Sequence, residues 1–209
     1  MFELATRRLY LCTPLRTDLN DFVRLAIEGG VDVVQLREKR ADREDIARAA
    51  VQLREICRDG GVPFIINDDP ELAAELGADG VHVGQEDVSV ARCRELLGDD
   101  AIVGLSTHSE LDLQSALGQA VSYLSAGPVE ATPTKPGRPG TGVEYASSAA
   151  RQSEWPVFVT GGVSPERIGD LVHAGISHFV VVRYLTEAID VHLAACELRN
   201  AIDGYLSYR

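Results

Sequence analysis

The chain has 209 residues, 45% of them hydrophobic, and a formal charge of −12. Its length suits one α/β domain with a large core. Its acidity argues against nucleic acid or an anionic membrane as partner, while leaving room for an anionic small molecule in a local basic pocket.

Short β-branched runs alternate with amphipathic stretches along the chain. The pattern predicts strands at 8–13, 31–37, 63–67, 80–84, 102–106, 123–127, 157–161 and 178–183. Helices are expected after each, at 18–29, 42–59, 70–76, 90–97, 109–119, 142–151, 165–174 and 191–206. The second helix gathers Ile46, Ala49, Ala50, Leu53, Ile56 and Cys57 on one face. Glycines at 29–30, 77 and 175 mark helix-to-strand returns, where a left-handed cap favours Gly. Eight such units suggest a closed parallel barrel, a single (β/α)8 TIM barrel over 1–209, rather than an open doubly wound sheet. Segment 132–142, with Pro or Gly at six of eleven positions, is expected to form a long loop of the kind that serves as a lid.

No basic-then-apolar leader opens the chain, and no apolar run approaches membrane-spanning length. Cys12, Cys57, Cys93 and Cys196 lack C-x-x-C or zinc spacing. A soluble cytoplasmic protein is the expectation, with no membrane partner and with homo-oligomerisation left open.

In such a barrel the reaction face lies at the C-terminal ends of the strands. Polar residues collect there: Gln35, Arg37 and Lys39 after strand two, Asn67, Asp68 and Asp69 after strand three, then His82, Gln85 and Asp87. Ser106, Thr107 and His108 follow strand five, Thr132, Pro133, Thr134 and Lys135 strand six, Thr160, Gly161 and Gly162 strand seven, and Val182 and Arg183 end strand eight. Asp68, Asp69 and Asp87 could each be a helix cap. Together, Asp68 and Asp87 follow adjacent strands, close enough to share a divalent ion. Mg²⁺ is commonly held by one or two carboxylates plus phosphate oxygens.

Only Lys39 and Lys135 are lysine among twenty basic residues. Both close polar motifs, which suits a compact cation reaching into an anionic cluster. With Arg37 they would complete a Mg²⁺–diphosphate site. Gly161 and Gly162 suggest a second anion cradle, or a tight turn capped by Ser164. His173, His178 and His192 fall within elements and read as structural; His82 and His108 lie at the mouth with no role assigned. Nucleophile-elbow, Walker A and dinucleotide motifs are missing.

The motifs Gln35-Leu36-Arg37-Glu38-Lys39, Asn67-Asp68, 82–87, 104–108, Thr132-Pro133-Thr134-Lys135 and Thr160-Gly161-Gly162, in this order and spacing, resemble the thiamine-phosphate synthase family, in its actinobacterial branch. The resemblance implies condensation of 4-amino-2-methyl-5-(diphosphooxymethyl)pyrimidine with 4-methyl-5-(2-phosphoethyl)thiazole, giving thiamine phosphate and diphosphate. It implies that Gln35, Leu36, Arg37, Glu38, Lys39, Asn67, Ser106 and Lys135 contact the pyrimidine diphosphate. Within that set Arg37, Lys39, Ser106 and Lys135 would be catalytic. Asp68 and Asp87 would hold one Mg²⁺, and Thr132, Pro133, Thr134, Gly162, Val182 and Arg183 would line the thiazole phosphate site. Departures from the family pattern are Glu130-Ala131, where many relatives carry an aromatic residue or Pro, and Thr160. A thiazole phosphate tautomerase or regulatory binder on the same barrel is the alternative, but it gives no reason for the aspartates and lysines.

Overall fold

A computed structural model describes residues 2–132 and 139–207. Eight strands, β1 (Leu9–Thr13), β2 (Val33–Leu36), β3 (Phe64–Asn67), β4 (Gly80–Val83), β5 (Ile102–Thr107), β6 (Tyr123–Ala126), β7 (Val157–Thr160) and β8 (His178–Val181), pair in parallel in sequence order, and β1 closes on β8. The expected (β/α)8 barrel is therefore formed. Helices α1 (Leu19–Glu28), α2 (Arg43–Asp59), α3 (Pro70–Leu76), α4 (Val90–Leu97), α5 (Glu110–Leu117), α6 (Gly142–Gln152) and α7 (Pro165–His173) separate the strands, and α8 (Arg183–Thr186) and α9 (Val191–Leu206) follow β8. No helix among the described residues is long and apolar enough to cross a membrane.

Strand alternation sorts the side chains into two apolar layers. Leu9, Leu11, Val34, Leu36, Phe64, Ile66 and their equivalents face outward against the helices. Tyr10, Cys12, Val33, Ile65, Ile102, Tyr123, Phe158 and Val180 fill the barrel interior, joined by Leu4 and Phe2. Gly80 and Gly104 make room for this filling: a β-carbon on Gly104 would overlap the Tyr123 ring, and one on Gly80 would overlap Ile102. Gly104, in mid-strand, thus marks close approach of a side chain from the neighbouring strand, whereas Gly80 opens β4 against the Ile102 backbone.

Strand eight is shorter than expected. Val182 leaves the extended region at φ −125°, ψ −86°, and Arg183 begins the four-residue α8 instead of ending the strand. A single turn is too short to produce a helical periodicity. Elsewhere the expected elements hold to within two residues at each end.

Polar groups at the N-terminal ends of the strands are structural. The Asp32 carboxylate accepts from the backbone N–H groups of Arg8 and Leu9 and from the Arg199 guanidinium at 2.8 Å, tying β1 to α9. Arg8 Nη1 donates to His178 Nε2 at 2.8 Å, which requires a neutral imidazole. Burial, reinforced by the adjacent Arg8 charge, pushes the His178 pKa down to about 4. The unfolded chain then takes up this proton first, so the contribution of His178 is present above about pH 6.5 and is lost as pH falls toward 4. His178→Gln keeps an acceptor without titrating. We expect wild-type stability to fall relative to this variant by up to about 1.4 kcal/mol per pH unit crossed in that window. Urea unfolding at pH 7 and pH 5 measures this difference, and because Asp32 is common to both proteins its opposing titration cancels. Parallel pH dependences would contradict the assignment.

Candidate active site

The strand C-termini open into a cavity of about 1010 Å³. Its floor is a hydrogen-bonded chain crossing the barrel. Cys12 Sγ donates to Gln35 Oε1 at 3.2 Å, and Gln35 Nε2 donates to Tyr10 Oη at 2.8 Å. The Tyr10 and Tyr123 hydroxyls meet at 2.8 Å. His82 Nδ1 lies 2.8 Å from Tyr123 Oη, and His82 Nε2 lies 2.8 Å from Ser106 Oγ. An amide N–H can only donate, so Tyr10 accepts from Gln35. Both phenol hydrogens are used if Tyr10 donates to Tyr123 and Tyr123 to His82 Nδ1. His82 then carries its proton on Nε2 and donates it to Ser106, whose own hydroxyl is left to donate toward the cavity. Burial raises both phenol pKa values far above their ordinary range, so both phenols stay neutral at physiological pH.

Above the floor, at the ends of β3 and β4, Lys39 Nζ pairs with Asp68 Oδ2 at 2.9 Å. Asp68 takes a positive φ of 63°, the only described non-glycine residue to do so, and its N–H donates to His82 O at 2.8 Å. Its pKa is raised, first by burial and then by the neighbouring Asp87 carboxylate, with Lys39 opposing both. Asp87 Oδ2 accepts from Gly84 N at 2.8 Å.

The alternative capping roles separate cleanly. Asp69, not Asp68, caps α3, accepting from Leu72 N at 2.7 Å. It also meets Arg43 at 3.0 Å. Ser89, not Asp87, caps α4. Asp68 and Asp87 therefore face the mouth with no helix to cap.

Gln35, Arg37, Glu38, Lys39, Asn67, Asp68, Asp87, Ser106, Thr132, Gly162, Val182 and Arg183 all border the cavity, as sequence reasoning expects. Two of these contribute mainly structure: Gln35 belongs to the buried floor, and Glu38 folds back to accept from Lys39 N and Arg40 N at 2.8 Å. Leu36 does not border the cavity with its side chain, which the strand period turns outward into the helix layer. Pro133, Thr134 and Lys135, with most of the proposed lid, lie outside the described residues. Arg37 and Arg183 also line a smaller recess of about 200 Å³, and neither forms an ion pair among the described residues. His108 bonds the carbonyl of Gly127 and steadies the next loop.

Tyr10, Tyr123 and Arg167 were not singled out from sequence. Gly104 lies within the 104–108 motif, and glycine in mid-strand is the signal that could have pointed to the Tyr123 ring. Gly161 and Gly162 adopt φ of 95° and 77° after β7. A β-carbon on Gly161 would stand 2.7 Å from Val129 N, so this glycine admits the loop that follows β6. Ser164 occupies the N-cap position of α7, but its hydroxyl turns to Glu166 rather than to a backbone N–H.

The division between the adjacent aspartates is testable. Asp69→Ala should cost about 1–2 kcal/mol through the lost cap and exposed ion pair. Asp68→Asn should cost less than about 0.5 kcal/mol, because Asn tolerates a positive φ and no cap is removed. Chemical denaturation of the two variants distinguishes them, and equal losses would show that Asp68 also supports the fold.

Three comparisons bear on this geometry. The family described as thiamine monophosphate synthase matches residues 9–185. A thiamine-phosphate synthase from Thermobifida fusca is 41% identical over 205 residues, covering 96% of this chain and 94% of that protein. Another from Nostoc punctiforme is 41% identical over 181 residues, but this chain, of which 87% is aligned, spans only 52% of its length. The solved structure of a thiamine phosphate pyrophosphorylase from Pyrococcus furiosus superimposes with a TM-score of 0.85 at 27% identity, covering 95% of this chain and 96% of the other.

Proposed function

The chain is a member of the thiamine monophosphate synthase family, and we propose that it condenses the pyrimidine diphosphate with the thiazole phosphate to form thiamine phosphate and diphosphate. The observation that carries this reading is the pairing of Asp68, Asp87 and Lys39 beside Arg37 on one side of a mouth whose other side holds the Gly161-Gly162 turn. Two anionic ends of two substrates can then be held apart with their reactive carbons and nitrogen between them.

The chemistry asks little of a protein base. The methylene carbon–oxygen bond breaks, diphosphate departs with the electron pair, and the thiazole nitrogen lone pair forms the new carbon–nitrogen bond. No proton has to move. Catalysis therefore rests on stabilising the leaving group's charge and aligning the partners. Lys39 and Arg37 supply fixed positive charge at the diphosphate side, and Lys135 belongs to the same proposed set. The Ser106 hydroxyl, oriented by His82, offers a donor at the centre of the floor. The closed apolar interior excludes water from below.

Asp68 and Asp87 fit a divalent cation. Asp68 holds the Lys39 ammonium and neighbours the Asp87 carboxylate, and it is half-buried with its charged form disfavoured. Added positive charge would relieve that cost. Among the described residues no group of three or more His, Cys, Asp or Glu converges; two carboxylates completed by phosphate oxygens and water would suit Mg²⁺. Mg²⁺ bound there would neutralise charge on the departing diphosphate. Arg183, Val182, Thr132 and Gly162 are assigned to the thiazole phosphate side with Pro133 and Thr134. A non-condensing relative that binds only thiazole phosphate would leave the Asp68–Asp87–Lys39 group without a purpose.

The test supplies both substrates with Mg²⁺ and follows diphosphate release and thiamine phosphate formation. We expect turnover that excess chelator abolishes, and a loss of at least about 100-fold in kcat for Asp68→Ala and for Asp87→Ala. Full turnover in chelator would remove the metal from the mechanism. Binding of thiazole phosphate without condensation would favour the regulatory reading.

A further inference from the structure

One ion pair at the mouth follows from no requirement of the fold. Arg167 Nη1 bonds Glu130 Oε1 across the gap between the loop after β6 and the first turn of α7. Both residues border the cavity, with side chains 34% and 48% exposed. Arg167 is the third residue of α7, where the helix dipole disfavours a cation. A local rule broken without a packing gain points to a functional site.

Glu130 is placed by a braced backbone. Val129 N donates to Thr160 O at 2.8 Å, Thr141 N to Pro128 O at 2.8 Å, and Gly142 N to Val129 O at 3.1 Å. This bracing sets the Glu130 carboxylate against the glycine turn: a β-carbon on Gly162 would lie 2.7 Å from Glu130 Oε2. A carboxylate thus occupies the front of the turn proposed above as the phosphate cradle. It cannot share that space with a phosphate dianion. A guanidinium fork accepts either anion in the same planar geometry. An exposed ion pair of this kind is weak, so an arriving phosphate can displace it.

We infer that Arg167 is a specificity-determining residue for the phosphate end of the thiazole substrate, held over the cradle by Glu130 until phosphate replaces that carboxylate. The inference rests on the assignment of this turn to thiazole phosphate. A phosphorylated ligand gains the arginine on entry. Its unphosphorylated alcohol has no charge with which to displace Glu130, and meets a cradle that is already occupied.

The experiment measures inorganic phosphate binding by calorimetry and condensation kinetics with the thiazole phosphate, in wild type, Arg167→Gln, Arg167→Lys and Glu130→Gln. Arg167→Gln should weaken phosphate binding and raise the KM for thiazole phosphate by about tenfold, with kcat and the KM for the pyrimidine diphosphate little changed. Arg167→Lys should recover part of that loss by restoring charge. Glu130→Gln should bind phosphate several-fold more tightly, since the competing anion is gone. Arg167→Gln with wild-type phosphate affinity and KM would overturn the inference, as would Glu130→Gln with weaker phosphate binding. If wild type does not condense the two substrates, the proposed function fails, and the phosphate titrations still decide the role of Arg167 and Glu130.

Discussion

The barrel interior has room for few large side chains, and the way it is filled determines what can stand at the mouth. Tyr10 and Tyr123 reach the centre from strands β1 and β6 and meet through their hydroxyls, with Phe158 packed edge-on at 5.3 and 5.4 Å from their ring centres. Two phenols buried in apolar surroundings would each be costly if unpaired. Gln35 and His82 satisfy them and are fixed in turn. The site therefore rests on a hydrogen-bonded layer between an apolar interior and a charged mouth. That layer determines which nitrogen of His82 bears its proton and where the Ser106 hydroxyl is aimed.

Much of this was legible in the sequence because parallel barrels put function at predictable places. Once eight strand–helix units are counted, the residue after each strand is assigned to one face of the molecule. Lys39, Asp68 and Asp87 could be brought together on that basis, across neighbouring strands. The floor was less visible. Tyrosine is an ordinary strand residue, and nothing local says that Tyr10 will touch Tyr123 across the barrel rather than pack against a helix. That contact depends on the stagger of the closed sheet, which joins residues 113 apart in sequence. Leu36 shows the opposite case: it sits inside the motif, yet strict alternation turns its side chain outward. The step from β8 into α8 was hidden because Val182 has no side chain that signals a cap.

The electrostatic organisation is equally uneven. Many arginines on the outer surface are matched with a nearby carboxylate, as Arg24 is with Asp21, Arg43 with Asp69 and Glu75, and Arg92 with Glu95. Arg37, Arg40 and Arg183 border the cavity with no such partner among the described residues. An acidic molecule that gathers three such cations in one concavity repels anions at a distance and attracts them once they are within a Debye length. Net charge alone would have pointed away from the phosphorylated substrates that the mouth suits best.

The adjacent aspartates at 68 and 69 carry one further consequence, for how this sequence can drift. Asp69 answers to the helix layer through Leu72, Arg43 and Glu75, whereas Asp68 answers to Lys39 and Asp87 in the mouth. Two neighbouring positions of identical chemistry thus belong to separate interaction networks. Among related sequences, position 69 is free to change to another capping residue in step with 43 and 75. Position 68 should vary only with its partners in the mouth, so the boundary between scaffold and chemistry runs through a single peptide bond.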